Sequence, residues 1–198
     1  MRSASAFLLA ASFAALAALV AAGSLNGLDQ WAIDHLMPGA HFTNKEASLR
    51  AALIPFYSVR WSSPWSVAVE IVTLPASFFV ALALTAWRSR LLALAVVAAT
   101  AVETLCKHTL DRPPLHHGHL HIVGFDSSYP SGHTLRTLLV AAAFAHPLAA
   151  AWAVVSLVLL ELAGWHVPTD IAGGVLLAAL ALLGARALRS RRLLGGRA

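Results

Sequence analysis

Apolar residues in this chain gather in long runs, without the amphipathic spacing of a surface helix or the alternation of a half-buried strand. A helix needs roughly 20 predominantly apolar residues to cross a membrane, and every backbone group in the hydrocarbon must be bonded within its own segment. The pattern therefore predicts an all-α integral membrane bundle. Six transmembrane helices are expected, at about residues 5–23, 62–87, 91–109, 132–148, 149–165 and 169–188.

The fourth and fifth of these runs are separated only by His146 and Pro147. A single helix over 132–165 would be longer than a membrane span requires, and an internal proline breaks or kinks a helix. We therefore expect two helices joined as a hairpin at this point.

The basic residues predict the orientation of the bundle. With both chain ends inside, no Asp or Glu falls on the cytoplasmic side, and the outer loops carry the polar chemistry. This is the asymmetry that the positive-inside rule describes, and it predicts a multi-pass protein of a bacterial inner (cell) membrane with its functional site on the outer face. Eight of the 14 basic residues lie in short cytoplasmic segments: Arg2, Arg88, Arg90, Arg186, Arg189, Arg191, Arg192 and Arg197.

Composition limits the classes of partner. Hydrophobic residues make up 59% of the chain and charged residues 12%, and most of the formal charge of +5 comes from the arginine-rich C-terminal tail. Such a tail can lie against anionic lipid headgroups, so the charge gives no reason to expect nucleic acid. The single cysteine, Cys106, excludes an intramolecular disulfide.

We expect one membrane domain over residues 1–198. A cleaved signal peptide is the alternative interpretation of the first apolar run, since Arg2 precedes it and the small residues of 21–23 follow it, but five later spans already require membrane insertion. The domain divides into an N-terminal span with an outer interfacial loop at 1–60, a core at about 60–188 and a basic tail at 189–198.

The outer loop over 24–60 contains a stretch that predicts a short helix from Leu25 to Leu36. An interfacial anchor is the favoured interpretation of this helix, and a substrate lid is the alternative. The side chains expected toward lipid or protein are Leu28, Trp31, Ile33 and Leu36.

Polar residues mark the outer ends of two expected spans. Lys107 and Arg112 end the third, where a lysine can also simply snorkel toward water. Ser131, Gly132 and His133 open the fourth, where free backbone amides and the positive end of the helix favour an anion. Gly132 allows close approach, Ser131 carries a hydroxyl, and His133 can exchange a proton near neutral pH. A plain N-cap and turn is the alternative.

A third polar stretch lies at the start of the last span, where His166 and Asp170 are four residues apart. That spacing allows the carboxylate to hold Nδ1–H of the imidazole and leaves Nε2 for nucleophilic attack. A purely structural His–Asp pair is the alternative. Pro168 suits the first turn of the helix.

Together the motifs Lys107…Arg112-Pro113, Pro130-Ser131-Gly132-His133 and His166…Asp170 resemble those of the type 2 phosphatidic acid phosphatase superfamily. The resemblance covers about residues 60–188 and implies a lipid phosphatase that needs no metal or other cofactor. It implies a phosphohistidine on His166, oriented by Asp170, with His133 as the acid that protonates the leaving group. The residues implied to hold the phosphoryl oxygens are Lys107, Arg112, Ser131 and Gly132.

Two arginine positions of that family hold other residues here. Pro114 stands in the later arginine slot of the first motif, and Leu159 and Leu160 stand where the third motif has Ser-Arg. An arginine binds phosphate through strong, geometrically specific, bidentate hydrogen bonds, and this chain lacks that contact at both positions. Arg136 is the candidate replacement, since it follows His133 by three residues and shares its helix face. An Arg136–Glu161 ion pair is the structural alternative.

The expected function is hydrolysis of a lipid phosphate or diphosphate, such as a polyprenyl diphosphate or phosphatidic acid. Two alternatives stay open: a catalytically weak or silent member that binds lipid phosphates, suggested by the missing arginines, and a lipid phosphotransferase. The expected partners are the lipid substrate and the surrounding membrane lipids. The histidines of 116–121 invite a metal interpretation, but few carboxylates or thiols lie nearby, and we expect no metal there.

Overall fold

The computed structural model describes residues 2–37 and 64–195, and this part of the protein is mostly helical. A two-residue antiparallel hairpin, β1 His116–His117 with β2 Leu120–His121, lies between the fifth and sixth helices. Most of the expected loop 24–60, the first two residues of the expected second span and the last residues of the tail lie outside the described residues. The helices are α1 Arg2–Ala21, α2 Asn26–Leu36, α3 Pro64–Thr73, α4 Phe78–Arg88, α5 Arg90–Thr109, α6 Gly132–Phe144, α7 Pro147–Leu162 and α8 Pro168–Gly195.

Within the described residues, four helical segments are long and apolar enough to span a membrane, which indicates a membrane protein. Six spans are not confirmed. The expected fourth and fifth spans are the short helices α6, with 13 residues, and α7, with 16. At about 1.5 Å per residue they reach roughly 20 and 24 Å, less than a hydrocarbon core of about 30 Å. The four segments are Ala4–Ala21, Val67–Arg88, Arg90–Thr109 and Pro168–Ser190.

The hairpin between α6 and α7 is confirmed. Helix α6 ends where Ala145 adopts a left-handed conformation with φ of 49°. Pro147 then begins α7. His146 is the N-cap of this helix, and its ring accepts a hydrogen bond from the Leu148 amide at 3.2 Å. Proline suits this first position because its missing N–H would have no partner inside the helix.

Helix α6 is the centre of the bundle, and it packs against α4, α5, α7 and α8. Its Leu135 and Leu139 are fully buried and join an apolar cluster with Val96 of α5 and Leu177 of α8. A helix enclosed by neighbours on most sides does not need the length of a lipid-exposed span. The position of α6 therefore fixes where its polar N-terminus lies relative to the ends of α5 and α8.

The expected second span is interrupted. Helix α3 ends at Thr73, a 3₁₀ turn covers Leu74–Ala76, and α4 begins at Phe78. Pro75 lies in the turn, and a proline removes a backbone donor and clashes with a continuing helix. The break leaves the Ala76 carbonyl to accept a hydrogen bond from Nε of Arg136 at 2.7 Å.

The short helix expected in the outer loop is confirmed as α2. Its inner face packs on the segment between α5 and α6, while Leu28 and Trp31 each keep about half of their surface exposed. Its role as an interfacial anchor stays a prediction. The apolar cluster beneath α2 consists of Ala32, Ile33, Met37, Leu115, Ile122, Phe125 and Val167.

Candidate active site

The polar stretches singled out in the sequence meet at one end of the bundle, where α5 ends and α6 and α8 begin. The Ser131 amide donates to the carbonyl of Asp170 at 2.9 Å, which ties the starts of α6 and α8 together. The rings of His133 and His166 lie 5.9 Å apart between centroids. The expected convergence of the second and third motifs is therefore present in the structure.

A tight turn positions His166 at the entrance to α8. Gly164 has φ of +68°, and the amides of Trp165 and His166 both donate to the Leu160 carbonyl, at 2.9 and 3.3 Å. His166 is 7% exposed, and its Nδ1 lies 3.4 Å from Oδ2 of Asp170. This separation is longer than that of a typical N–H···O hydrogen bond.

His133 faces the same space from the start of α6. Its ring makes an edge contact with Trp165, with centroids 5.6 Å apart, and it is half-buried. Two imidazoles and one carboxylate thus lie together, with the carboxylate on Nδ1 of His166. This arrangement can orient Nε2 of one histidine as a nucleophile while the second exchanges a proton with the reacting group.

Arg112 does not reach outward as an expected phosphate ligand. Its side chain is 1% exposed, and its guanidinium lies between two carboxylates. Nη1 donates to Oδ1 of Asp170 at 3.1 Å, while Nη2 donates to Asp29 and to the Thr169 hydroxyl. We call Arg112, Asp29, Thr169 and Asp170 the Arg112 cluster.

Asp29 of α2 belongs to this site although its sequence context gave no sign of it. It is fully buried and accepts from the Thr169 amide at 3.1 Å and the Thr169 hydroxyl at 2.6 Å. The first amides of a helix have no partner inside the helix, so Asp29 caps α8 from a distant element. Burial raises the pKa of the Asp29 carboxyl, and the Thr169 hydrogen bond and the Arg112 charge oppose that rise.

A second charged group surrounds Glu103 of α5. Its Oε1 lies 2.8 Å from Nζ of Lys107, and its Oε2 lies 2.7 Å from Nη1 of Arg136. We call these three residues the Glu103 cluster. The carboxylate partner of Arg136 is therefore Glu103 and not Glu161 as considered from the sequence, because α6 faces α5 at this depth. Lys107 remains 24% exposed, whereas the Glu103 and Arg136 side chains are buried.

Gly132 is required by this second cluster. A Cβ added at Gly132 would lie 1.9 Å from Oε1 of Glu103, inside van der Waals contact. The expected close approach at this glycine therefore exists, and the group that approaches is a carboxylate of the protein. Ser131 acts as the N-cap of α6, with its hydroxyl accepting from the Thr134 amide at 3.2 Å.

The position at which the third motif has an arginine is occupied here by a leucine in an apolar environment. Leu160 is fully buried in an apolar cluster with Val69 and Ala163. Pro114, in contrast, is exposed. The structure thus fills one of the two empty arginine positions with hydrophobic packing.

The histidine-rich segment forms the β1–β2 hairpin. Nε2 of His121 lies 2.8 Å from Oδ1 of Asp126, and both side chains are more than one-third exposed. Among residues 2–37 and 64–195, no group of three or more His, Cys, Asp or Glu side chains is placed to hold a metal ion.

No protein-family model, curated protein or solved structure matches this chain.

Proposed function

We propose that this protein is a membrane phosphatase that hydrolyses a lipid phosphate or diphosphate through a phosphohistidine intermediate. The observation that carries the proposal is the pairing of His166 with Asp170 beside the ring of His133. The motif order that resembles the type 2 phosphatidic acid phosphatases supports the same chemistry.

In the first step, Nε2 of His166 attacks phosphorus, and the bond from phosphorus to the leaving oxygen breaks. His133 gives a proton to that oxygen, so that an alcohol or a phosphate leaves. Water then attacks the phosphohistidine, His133 takes a proton from the water, and inorganic phosphate is released. Asp170 stabilises the positive charge on the His166 ring and fixes its orientation.

The Arg112 cluster and the Glu103 cluster differ in net charge, and we assign them different roles. Asp29 and Asp170 give the Arg112 cluster one surplus negative charge, which suits support of a cationic imidazole rather than binding of phosphate. Lys107 and Arg136 give the Glu103 cluster one surplus positive charge. We therefore assign the phosphoryl oxygens to the partly exposed Lys107 ammonium near the positive end of α6, where Ser131 caps the helix and Gly132 contacts Glu103.

The same proposal places the site at the outer membrane–water interface of a bacterial cell membrane, where a headgroup can enter from the bilayer. The basic residues support this placement, since eight of the 14 lie in the short segments that the positive-inside rule assigns to the cytoplasm.

Binding of lipid phosphates without turnover is the second candidate. One observation favours it: Arg112 and Arg136 are both buried and already paired with carboxylates. A binding protein tolerates such a site, because it needs only the modest positive charge near Lys107.

The experiment is release of inorganic phosphate by the purified protein in detergent or vesicles, from a panel of lipid monophosphates and diphosphates. We expect turnover in the wild type, none in His166→Ala, and an acid-labile phosphoryl label on His166. Lipid binding with neither turnover nor label would establish the second candidate. A second phosphorylated lipid product would instead identify a phosphotransferase.

A further inference from the structure

Asp29 has contacts that a structural anchor on the membrane surface would not need. It lies on the inner face of α2, 83 residues from Arg112 and 140 from Thr169 in sequence, and it bonds to both. Through Arg112 it is connected to Asp170, and through Asp170 to His166. The contacts thus run from α2 to the proposed nucleophile.

Arg112 divides its guanidinium between two carboxylates, and this division affects how the Asp170 carboxylate is held. An arginine tends to bind a single carboxylate with two parallel N–H groups, which occupies both carboxylate oxygens. Here Asp29 takes Nη2, so that Asp170 receives only Nη1, on its Oδ1. The second oxygen of Asp170, Oδ2, faces Nδ1 of His166 and the Val167 amide, each at 3.4 Å.

Asp29 also fixes the start of the helix that carries Asp170. Its Oδ1 accepts from the amide of Thr169, the residue immediately before Asp170. The Thr169 hydroxyl donates to the other oxygen at 2.6 Å. Asp29 therefore contacts both the backbone just before Asp170 and the guanidinium that binds the Asp170 carboxylate.

We propose that Asp29 is a positioning residue: it holds half of the Arg112 guanidinium so that Asp170 keeps one oxygen for His166. The consequence for phosphoryl transfer rests on the proposed function, but the effect on the His166 ring does not. Loss of the Asp29 charge lets Arg112 turn onto both oxygens of Asp170 and releases His166 from its orientation.

The test compares Asp29→Asn with Asp34→Asn. Asp34 lies on the same helix but is exposed, and it accepts a hydrogen bond from the Gln30 side chain at 3.0 Å. Two quantities are measured: kcat and KM for phosphate release, and the rate at which diethyl pyrocarbonate modifies the His166 peptide, followed by mass spectrometry. The second measurement needs no turnover, so it reports on Asp29 even if the protein is not a phosphatase.

For Asp29→Asn we expect faster modification of His166 and a kcat roughly 10- to 100-fold lower, the range seen when a partner behind a functional ligand is lost. KM should change little, because Asp29 does not face the substrate. Asp34→Asn should match the wild type in both measurements. Equal His166 modification rates in a folded Asp29→Asn protein and the wild type would overturn the proposal.

A double variant covers the case in which Asp29→Asn fails to fold. Asp29→Asn with Arg112→Lys leaves one cation for the one remaining carboxylate, Asp170, so that no buried charge is left unpaired. A lysine lacks the planar fork that could occupy both oxygens of Asp170, so His166 should be modified at the wild-type rate. Fast modification in the folded double variant would show that Asp29 does not act through Arg112.

Discussion

In the Arg112 cluster one guanidinium lies between two carboxylates, and in the Glu103 cluster one carboxylate lies between two cations. Both are buried near the ends of α5, α6 and α8, where an isolated charge would be strongly destabilising. They differ in their surplus charge and in their neighbours. The negative cluster contacts His166, and the positive cluster contacts Gly132 at the start of α6.

The difference shows that two basic residues close together in sequence can have opposite surroundings. Lys107 lies in the last turn of α5, and Arg112 lies just beyond the end of that helix. Arg112 is enclosed by carboxylates, whereas Lys107 keeps a quarter of its side chain exposed. Under the proposed function, the Arg112 cluster supports the nucleophile and the Glu103 cluster meets the phosphoryl group.

The largest expected effect is that of Asp170→Asn. An amide cannot accept the Nδ1 proton with the same strength or stabilise a cationic His166, so phosphate release should fall by roughly 10⁴-fold, as in hydrolases that lose a triad carboxylate to amidation. Steady-state assays on the folded variant measure the loss. A decrease of less than tenfold would contradict a role of the Arg112 cluster in supporting His166.

A large stability effect is expected at Gly132. Gly132→Ala places a methyl group against a carboxylate that two cations hold in place, and we expect a loss of about 3 kcal/mol, between overpacking and rupture of a buried pair. Thermal or denaturant unfolding in detergent measures it. Gly184→Ala is the matched control, since no atom lies within 4 Å of its added Cβ, and it should change stability by no more than about 1 kcal/mol.

The same measurement in a Glu103→Ala background tests the cause. If the Glu103 carboxylate is what excludes a side chain at 132, adding Gly132→Ala to Glu103→Ala should destabilise the protein no further. If the two losses of stability add, Gly132 is needed for a reason other than its contact with the Glu103 carboxylate.

The smallest expected effect concerns Arg136 as a replacement for the missing arginines. If Arg136 contacts the phosphoryl group as well as Glu103, vanadate affinity should decrease in the order wild type, Arg136→Lys, Arg136→Leu. The loss for Leu should be about 1.5–3 kcal/mol, the value of a charge-assisted hydrogen bond. Calorimetric titration on folded variants measures it. Unchanged affinity with reduced stability would make Arg136 a partner of Glu103 alone.

The helices could be predicted where hydropathy alone decides them. The expected starts of the first, third and sixth spans lie within a few residues of the starts of α1, α5 and α8, and Pro147 correctly predicts the α6–α7 hairpin. The apolar pattern predicts neither the break at Pro75 nor the shortness of α6. An apolar run looks the same whether neighbouring helices or lipid cover it, so its composition cannot distinguish a central helix from a span.

Within the site, the sequence by itself determined what is local: the four-residue spacing of His166 and Asp170, the N-cap at Ser131 and the glycine at 132. Only the tertiary structure decided which charges meet. Asp29 lies 83 residues from Arg112, and Glu103 lies 33 residues from Arg136. Their pairing follows from the packing of α2 on the segment before α6 and of α6 on α5, because a buried charge must be matched by whatever the neighbouring element presents.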